Sequence, residues 1–563
     1  MNTRKILCLM AAVLMLSGCS KGVDGSQASS KAAESSGKAD SSVSDYDNTT
    51  TEPETDKPEF DLNDSVIGFS QESGFYDSGF SLELTANEGE KIYYTTDGTD
   101  PRTSATREEY TAPIEIKDRS NDPNVVSAVP TEMISGNFNE FSFGEGDFWC
   151  NKKAPSDKAV DKCTVIRASS EKSDGSVSKS FSGSFYIGSA EEHIKGLKES
   201  CEAAGHDLAV MNITMDYADL FDSKIGIYVK GDIFNKALED YKSSGESIEN
   251  ETARQLDANY KQRGKEWERD CHIELNEISA EGNVTNALSQ DCGIRIQGNY
   301  SRSDLQKGFR LYARKKYGEK KFNYEVFEGL KNASDETIDS FKTLTLRAGG
   351  NCAFTAKFND TYWQSLMTEL DGSTKASRPC VVYLNGEYWG LYVLEEDYSD
   401  NYFESHYGVN KDDVVVYKGD AESYQSGYKL DEGKLPEGET DEGYFFKELT
   451  DFFASHKDLS AQADYEEFSK LVDTDSVRDY FLAEVWINNK WDWPGKNWSM
   501  WKVQNTDSSN EYADGRWRFM FYDVEFGGVS GEGDAWTNTM KEDNYKPKGL
   551  LDTDTKNPAV LSF

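Results

Sequence analysis

Large apolar side chains are almost absent from residue 20 to about residue 60 and abundant beyond it. A run of Ser, Ala, Gly, Asp and Thr of that length has nothing to bury, so it reads as a flexible tether. Whatever folds lies after it. There the aromatic load is heavy, with 30 Tyr, 29 Phe and 11 Trp in the 563-residue chain, far above what a disordered protein carries. At about 150 residues per domain the length allows two to four domains. Acidic residues outnumber basic ones 101 to 61, for a net charge of −40. That excludes a nucleic-acid partner, because phosphate binding draws on Lys and Arg. It speaks for solubility and says little about fold. A mean hydropathy of −0.71 excludes a polytopic membrane protein. The five His, at 193, 206, 272, 406 and 456, are too widely spaced for a multi-His zinc site.

Ahead of the tether, Arg4 and Lys5 precede an apolar run from Ile6 to Leu16 that is too short to span a bilayer. Leu16-Ser17-Gly18-Cys19 follows and resembles a bacterial lipobox. The alternative is an ordinary signal peptide with a cysteine there by chance. The expectation is a lipoprotein signal over 1–18, a lipidated Cys19 opening a tether over 19–65, and a body held at the outer face of a bacterial cell membrane. With Cys8 in the signal and Cys19 lipidated, seven of the nine Cys remain. An odd count leaves at least one thiol free in an exported chain. There is no CxxC, and Cys150 with Cys163 is the pair to expect.

From 66 to 188, short β-rich runs alternate with turns: Phe80 to Thr85, Lys91 to Thr95, Thr164 to Ala168 and Ser182 to Ile187, with Asp97-Gly98 and Asp100-Pro101 between. This spacing predicts a small β-sandwich, self-contained enough to fold alone. Ile92-Tyr93-Tyr94-Thr95-Thr96-Asp97-Gly98-Thr99-Asp100-Pro101, with Tyr110-Thr111-Ala112-Pro113-Ile114, resembles the chitobiase/hexosaminidase C-terminal-like domain. The resemblance implies an immunoglobulin-like sandwich, either a spacer or a carbohydrate contact. The stretch from about 118 to 160 departs from that compact pattern.

The second body runs from 195 to 563 and mixes strand and helix signals, which predicts one large α+β domain. Asn385-Gly386 between two β-like runs predicts a hairpin. Asp475 or Ser476 is the expected cap of a helix over Val477 to Asn488.

The chemistry concentrates between 485 and 533. Asp492 and Asn497, four residues apart, precede a strand from Trp498 to Val503. A second strand, Arg516 to Tyr522, runs into Asp523 and a Gly-rich turn. Phosphoryl transfer needs a carboxylate to orient the attacking hydroxyl and oxygen ligands for the nucleotide's Mg²⁺. Protein kinases supply them by an Asp, a four-residue gap and an Asn, then an Asp after a hairpin. The layout here is of that kind, without His-Arg before the first Asp or Phe-Gly directly after the last.

Five motifs in order resemble the spore-coat CotH kinase family, an atypical protein-kinase-like group. They are Ile294-Arg295-Ile296-Gln297-Gly298-Asn299 with Lys307 to Leu311, Leu344 to Gly350, Leu384 to Tyr392 through Glu396, Trp491-Asp492-Trp493-Pro494 with Asn497, and Tyr522-Asp523. The resemblance implies a multidomain fold, an immunoglobulin-like β-sandwich followed by a large α+β atypical protein-kinase-like domain. It implies ATP-dependent phosphorylation of Ser/Thr on a protein, with Mg²⁺ or alternatively Mn²⁺. Asp492 would be the catalytic carboxylate, and Asp523 and Asn497 metal ligands. Lys307 would contact phosphates, with Glu396 as its ion-pair anchor. Arg295 and Arg347 read instead as core ion-pair residues. The family often has Asp-x-Asp where this chain has Asp523-Val524-Glu525, which leaves the role of Glu525 open. The chain stops at Phe563 where the family fold continues, so the domain is expected to be incomplete at its C-terminus.

Two classes of function compete. One is an exported, lipid-anchored kinase. The other is a cell-surface adhesion or scaffold protein with a kinase-like body, favoured by the scarcity of ATP outside a bacterial membrane. Replacing Cys19 by Ser is expected to abolish lipid labelling and release the protein from the membrane fraction. Unchanged labelling and fractionation would rule the lipobox out.

Overall fold

The computed structural model describes residues 60–134, 150–188, 208–244, 256–278, 284–353, 356–420, 428–456, 459–489 and 496–528, with isolated positions 192, 194, 196, 199 and 493. Among the described residues no helix is long and apolar enough to cross a membrane.

The N-terminal region is β-rich. Strands β1 (Gly74–Tyr76), β2 (Lys91–Thr95), β3 (Glu108–Glu109), β4 (Cys163–Glu171) and β5 (Phe181–Ile187) form one sheet in the order β1-β5-β4-β2-β3. Its inward residues alternate as the sequence predicts. Ile92, Ile166, Ala168, Phe185 and Ile187 pack against Leu82, Leu84 and Ile116 from two short flanking pairs.

A closed seven-stranded barrel follows. Its strands are β6 (Leu208–Thr214), β7 (Arg269–Ile278), β8 (Val284–Gln297), β9 (Gly308–Tyr312), β10 (Thr343–Arg347), β11 (Ser377–Leu384) and β12 (Glu387–Glu395). They close in the order β6-β7-β8-β9-β10-β12-β11. All neighbours are antiparallel except the closing pair, where β6 runs parallel to β11 with Ala209 opposite Cys380. Ile213, Ile273, Ile294, Leu311, Leu344, Leu346, Val382 and Leu394 fill the interior. The Asn385-Gly386 turn joins β11 to β12 with both residues at positive φ, 48° and 78°, the geometry a two-residue hairpin requires.

The last region is a four-stranded sheet with helices on it. Strands β13 (Val414–Asp420), β14 (Tyr428–Glu432), β15 (Lys496–Val503) and β16 (Arg518–Met520) order as β14-β13-β15-β16. Helix α1 (Asn359–Leu366) lies in sequence between barrel strands β10 and β11, and α2 (Asp400–Tyr407) between the barrel and this sheet. α3 (Lys447–Ser455), α4 (Gln462–Leu471) and α5 (Thr474–Ile487) precede β15. The cap of α5 is Asp473, which accepts from Asp475 N and Ser476 N, so neither Asp475 nor Ser476 takes that role. Tyr480 of α5 stacks on Phe519 of β16 at 4.2 Å. Leu482 and Trp486, apolar and in helical register, face outward instead, because Tyr480, Ala483, Glu484 and Ile487 form the buried stripe.

The self-contained pattern of 66–188 predicts an independent unit, but the structure joins it to the barrel through a common core. Cys163, Val165 and Tyr186 pack with Leu208, Val210, Val381 and Tyr383. The Tyr186 ring meets Tyr383 edge-on at 5.2 Å. Polar groups seal the seam. Val125 N and Ser127 N each donate to the Glu387 carboxylate at 2.7 Å, and Cys163 N donates to Gly386 O at 2.8 Å. Ser73 and Ser184 hydroxyls donate to Glu274 of β7. Cys163 is a free, buried thiol, so the expected bond to Cys150 is not made. Cys271 and Cys292 face each other across β7 and β8 as thiols, with Sγ atoms 3.4 Å apart.

Glu387 is 1% exposed. Removing its carboxylate strands the buried Ser127 N–H, at about 1–3 kcal/mol, and takes the partner of the part-buried Val125 N–H. Glu387→Ala is expected to lower unfolding free energy by roughly 2–4 kcal/mol. Urea melts coinciding with wild type would show that the seam contributes nothing.

Candidate functional site

The site forms where the end of β10, the start of α1 and the β15–β16 hairpin meet. Asn497 and Asp523 lie at the base of that hairpin, one near its start and one just past its end. Their backbones explain how they come to face each other. Gly419 pairs with Trp498 and Asp420 with Lys496, so Asn497 is an extra residue in β15, a β-bulge at φ 59°. A bulge re-aims the side chain it carries. Asp523 is also left-handed, at φ 56°. Non-glycine residues rarely adopt this conformation, and it recurs at functional sites. The Asn497 amide donates to Asp523 Oδ2 at 3.2 Å.

Arg347, the last residue of β10, joins the hairpin to the barrel. Its Nη2 lies 2.6 Å from Asp523 Oδ1 and 2.9 Å from Glu525 Oε2, and its Nη1 lies 3.7 Å from Asp360 Oδ2. The carboxylates around it hold the guanidinium pKa well above its ordinary value, against the opposing effect of burial. Asp360, in the first turn of α1, also accepts from Val524 N at 2.8 Å and from Gln364 at 3.2 Å. Behind it, the buried Lys375 and Glu395 pair at 2.8 Å.

Glu525 is consumed by this network. Its Oε1 accepts from Asn351 N at 3.0 Å and from the Asn351 amide at 2.7 Å, while its Oε2 takes Arg347. Burial, with the Asp523 charge second, pushes its carboxyl up to about 7, although Arg347 pulls the other way. A Cβ on Gly350, whose φ is +53°, would overlap Glu525 Oε2, so only glycine lets the carboxylate seat there. Beyond it, Gly527 O accepts from Trp363 Nε1 at 2.6 Å and Gly528 N donates to Ile487 O at 2.8 Å, fixing the turn to α1 and α5.

The carboxylates therefore divide. Asp523 keeps 27% of its side-chain surface, and Glu525 keeps 2%. Among the described residues no cluster of three or more His, Cys, Asp or Glu is arranged to hold a metal ion. One accessible carboxylate beside an amide nonetheless suits Mg²⁺, which takes one or two protein carboxylates and completes its octahedron from phosphate and water. Rotating the Asn497 amide would turn its oxygen toward such an ion. Glu525 acts on Asp523 through Arg347 and the turn.

The other sequence-predicted residues lie elsewhere. Asp492 and Cys19 fall outside the described residues. Lys307 is fully buried. Its ammonium donates to Asp304 O and sits 4.3 Å from the Tyr260 ring centre and 5.3 Å from that of Tyr228. Glu396 accepts from His406 Nε2 at 2.8 Å and from Ala376 N at 3.0 Å, so it is not brought together with Lys307. Sequence reasoning passed over Arg347 as a core ion-pair residue and did not single out Asp360. The visible signal was an arginine ending an apolar strand just before Gly349-Gly350.

Residues 294–558 match the family model described as CotH kinase protein, and residues 82–185 the model described as Fn3 associated. The chain thus carries a CotH kinase-family domain behind an Fn3-associated domain. No curated protein matches the chain.

Removing one member of a buried charge network leaves the others uncompensated, at about 3–5 kcal/mol. Arg347→Leu is expected to cost roughly that much in urea unfolding. Arg347→Lys should recover only part of it, since an ammonium lacks the fork that reaches two carboxylates. Wild-type stability in Arg347→Leu would mean that the network does not hold the hairpin.

Proposed function

We propose that this chain is an exported, lipid-anchored kinase transferring phosphate from ATP to Ser or Thr hydroxyls of a protein. The observation that carries the reading is the convergence of Asn497 and Asp523 at one hairpin, both in left-handed backbone, with Asp523 the accessible carboxylate. The match to the CotH kinase model supports it. In this reading residues 195–563 have an atypical protein-kinase-like architecture, and the N-terminal region is an immunoglobulin-like sandwich acting as spacer or carbohydrate contact.

Asp523 and Asn497 would hold Mg²⁺, or alternatively Mn²⁺, which when bound neutralises charge on the nucleotide phosphates. Asp492 would accept the substrate hydroxyl's hydrogen bond and orient its oxygen toward the phosphate. Arg347 and Glu525 fix the Asp523 carboxylate before any ligand arrives, so less ordering is left for the binding step. The excess of acidic residues favours basic or neutral protein partners, an attraction that salt weakens.

Three proteins test this: wild type, Asp492→Asn and Asp523→Asn, each with ATP and Mg²⁺. Wild type is expected to gain thermal stability and to transfer labelled phosphate to a protein acceptor. Asp492→Asn should keep the thermal shift while losing about 10²–10⁴ in rate, the usual range for a lost general base. Asp523→Asn should lose both. If wild type shows neither stabilisation nor transfer, the non-catalytic surface scaffold replaces the kinase. Full transfer by both variants would place the chemistry at other residues.

A further inference from the structure

Cys271 and Cys292 stand directly opposite each other in the β7–β8 register, on the regular side of the bulge at Leu275–Asn276. Antiparallel residues so paired have Cα atoms about 4.5–5.5 Å apart. A disulfide spans Cα separations of about 4.4–6.8 Å, so the backbone already meets its requirement. The side chains point at each other, with Sγ atoms 3.4 Å apart. The bond itself needs about 2.05 Å. A small turn about each Cα–Cβ bond closes that gap, so the strands need not move.

The fold also limits when such a bond can form. Both side chains belong to the core that holds Ile273, Ile294 and Leu311, with Cys271 3% exposed and Cys292 fully buried. Burial, with the neighbouring Cys271 thiol second, holds the Cys292 pKa well above the ordinary thiol value. Thiol–disulfide exchange needs a thiolate that its partner can reach. The closed barrel therefore blocks the exchange, and would equally shield a bond already made. Before closure the thiols are open. They lie only 21 positions apart on consecutive strands, whereas β6 waits for β11. A loop that short closes early.

We propose that Cys271 and Cys292 form a cross-strand disulfide while the exported chain folds, by exchange with a donor disulfide of the glutathione or dithiol-oxidoreductase class. This rests on the export reading. One cysteine thiolate attacks the donor disulfide, which makes a mixed disulfide and releases one donor thiol. The other cysteine attacks the mixed disulfide, which makes the Sγ–Sγ bond and releases the second donor thiol. The two cysteines lose two electrons and two protons, and the donor disulfide takes them up. The bond staples two neighbouring strands in the register that the barrel uses.

The test alkylates the full chain under acid quench, without reductant, and maps its peptides. One sample is the chain as made in a bacterium that carries its signal through to export. The other is the reduced, urea-unfolded chain refolded in a glutathione redox buffer. A cross-linked peptide pair holding Cys271 and Cys292 is expected in both, lighter than the thiol peptides by two hydrogens and split by dithiothreitol. Oxidised glutathione added only after the reduced chain has folded should yield little of it. Refolding in dithiothreitol should lower the wild-type melting midpoint by about 5–10 °C. The same treatment should leave Cys271→Ala/Cys292→Ala unchanged, which separates the bond from the packing of the two side chains. Alkylated Cys271 and Cys292 in the refolded wild type would overturn the pairing. Free thiols at both positions in a chain recovered outside the membrane would overturn the disulfide and leave export standing. Cross-linking on refolding, beside a cell-made chain that stays in the cytosol with both thiols alkylated, would overturn the export reading and uphold the pairing.

Discussion

Arg347 is the residue on which the arrangement of the site depends. Its guanidinium ends a barrel strand and reaches a helix through Asp360 and a hairpin base through Asp523 and Glu525. Three elements, two of them close in sequence and the third 176 positions on, are thus referred to one planar group. A planar fork fixes both distance and direction, which a point charge does not. The barrel supplies rigidity: β10 is hydrogen-bonded on both sides, and its Leu344 and Leu346 are fully buried. That rigidity passes through the arginine to the Asp523 carboxylate, which lies three residues beyond a short three-residue strand.

What the sequence discloses follows from the range of each interaction. The Asn385-Gly386 hairpin is readable because the turn's requirement for positive φ is local. Asn497 and Asp523 are readable for a similar reason, since both flank one hairpin and their spacing is visible. Arg347 and Asp523 are 176 positions apart, and no local pattern links them. Glu395 and Glu396 show the limit of strand reading. Adjacent strand residues point to opposite faces, and the one that joins the buried network is Glu395, which pairs with Lys375, while Glu396 turns to His406. Lys307 shows another limit. A lysine before an apolar strand looks the same in sequence whether it meets a phosphate or a ring of tyrosines.

The N-terminal region was legible as strands and turns but not as a partner in a larger core. Tyr186 and Val165 are ordinary inward strand residues by pattern. Their neighbours across the seam, Tyr383 and Val381, lie about 200 residues on. The Glu387 clamp was equally hidden, because a glutamate right after Asn-Gly reads as a solvated turn residue. Its two backbone donors come from 125 and 127, within the stretch that departs from the compact sandwich pattern.

The parallel pairing of β6 with β11 governs the order in which the molecule can assemble. Ala209 waits for Cys380, so the barrel cannot close until most of the chain has left the ribosome. Loop-closure entropy makes contacts of such separation late and slow. Until then the free edge of β6 and the faces of Tyr186 and Val210 that await Tyr383 and Val381 are bare. Incomplete chains therefore expose an apolar seam and an unpaired strand, which are the features that recruit chaperones and seed aggregation. A translational stall before residue 377 would leave a nascent protein whose N-terminal strands are all made but whose partners across the seam, Val381 and Tyr383, do not yet exist.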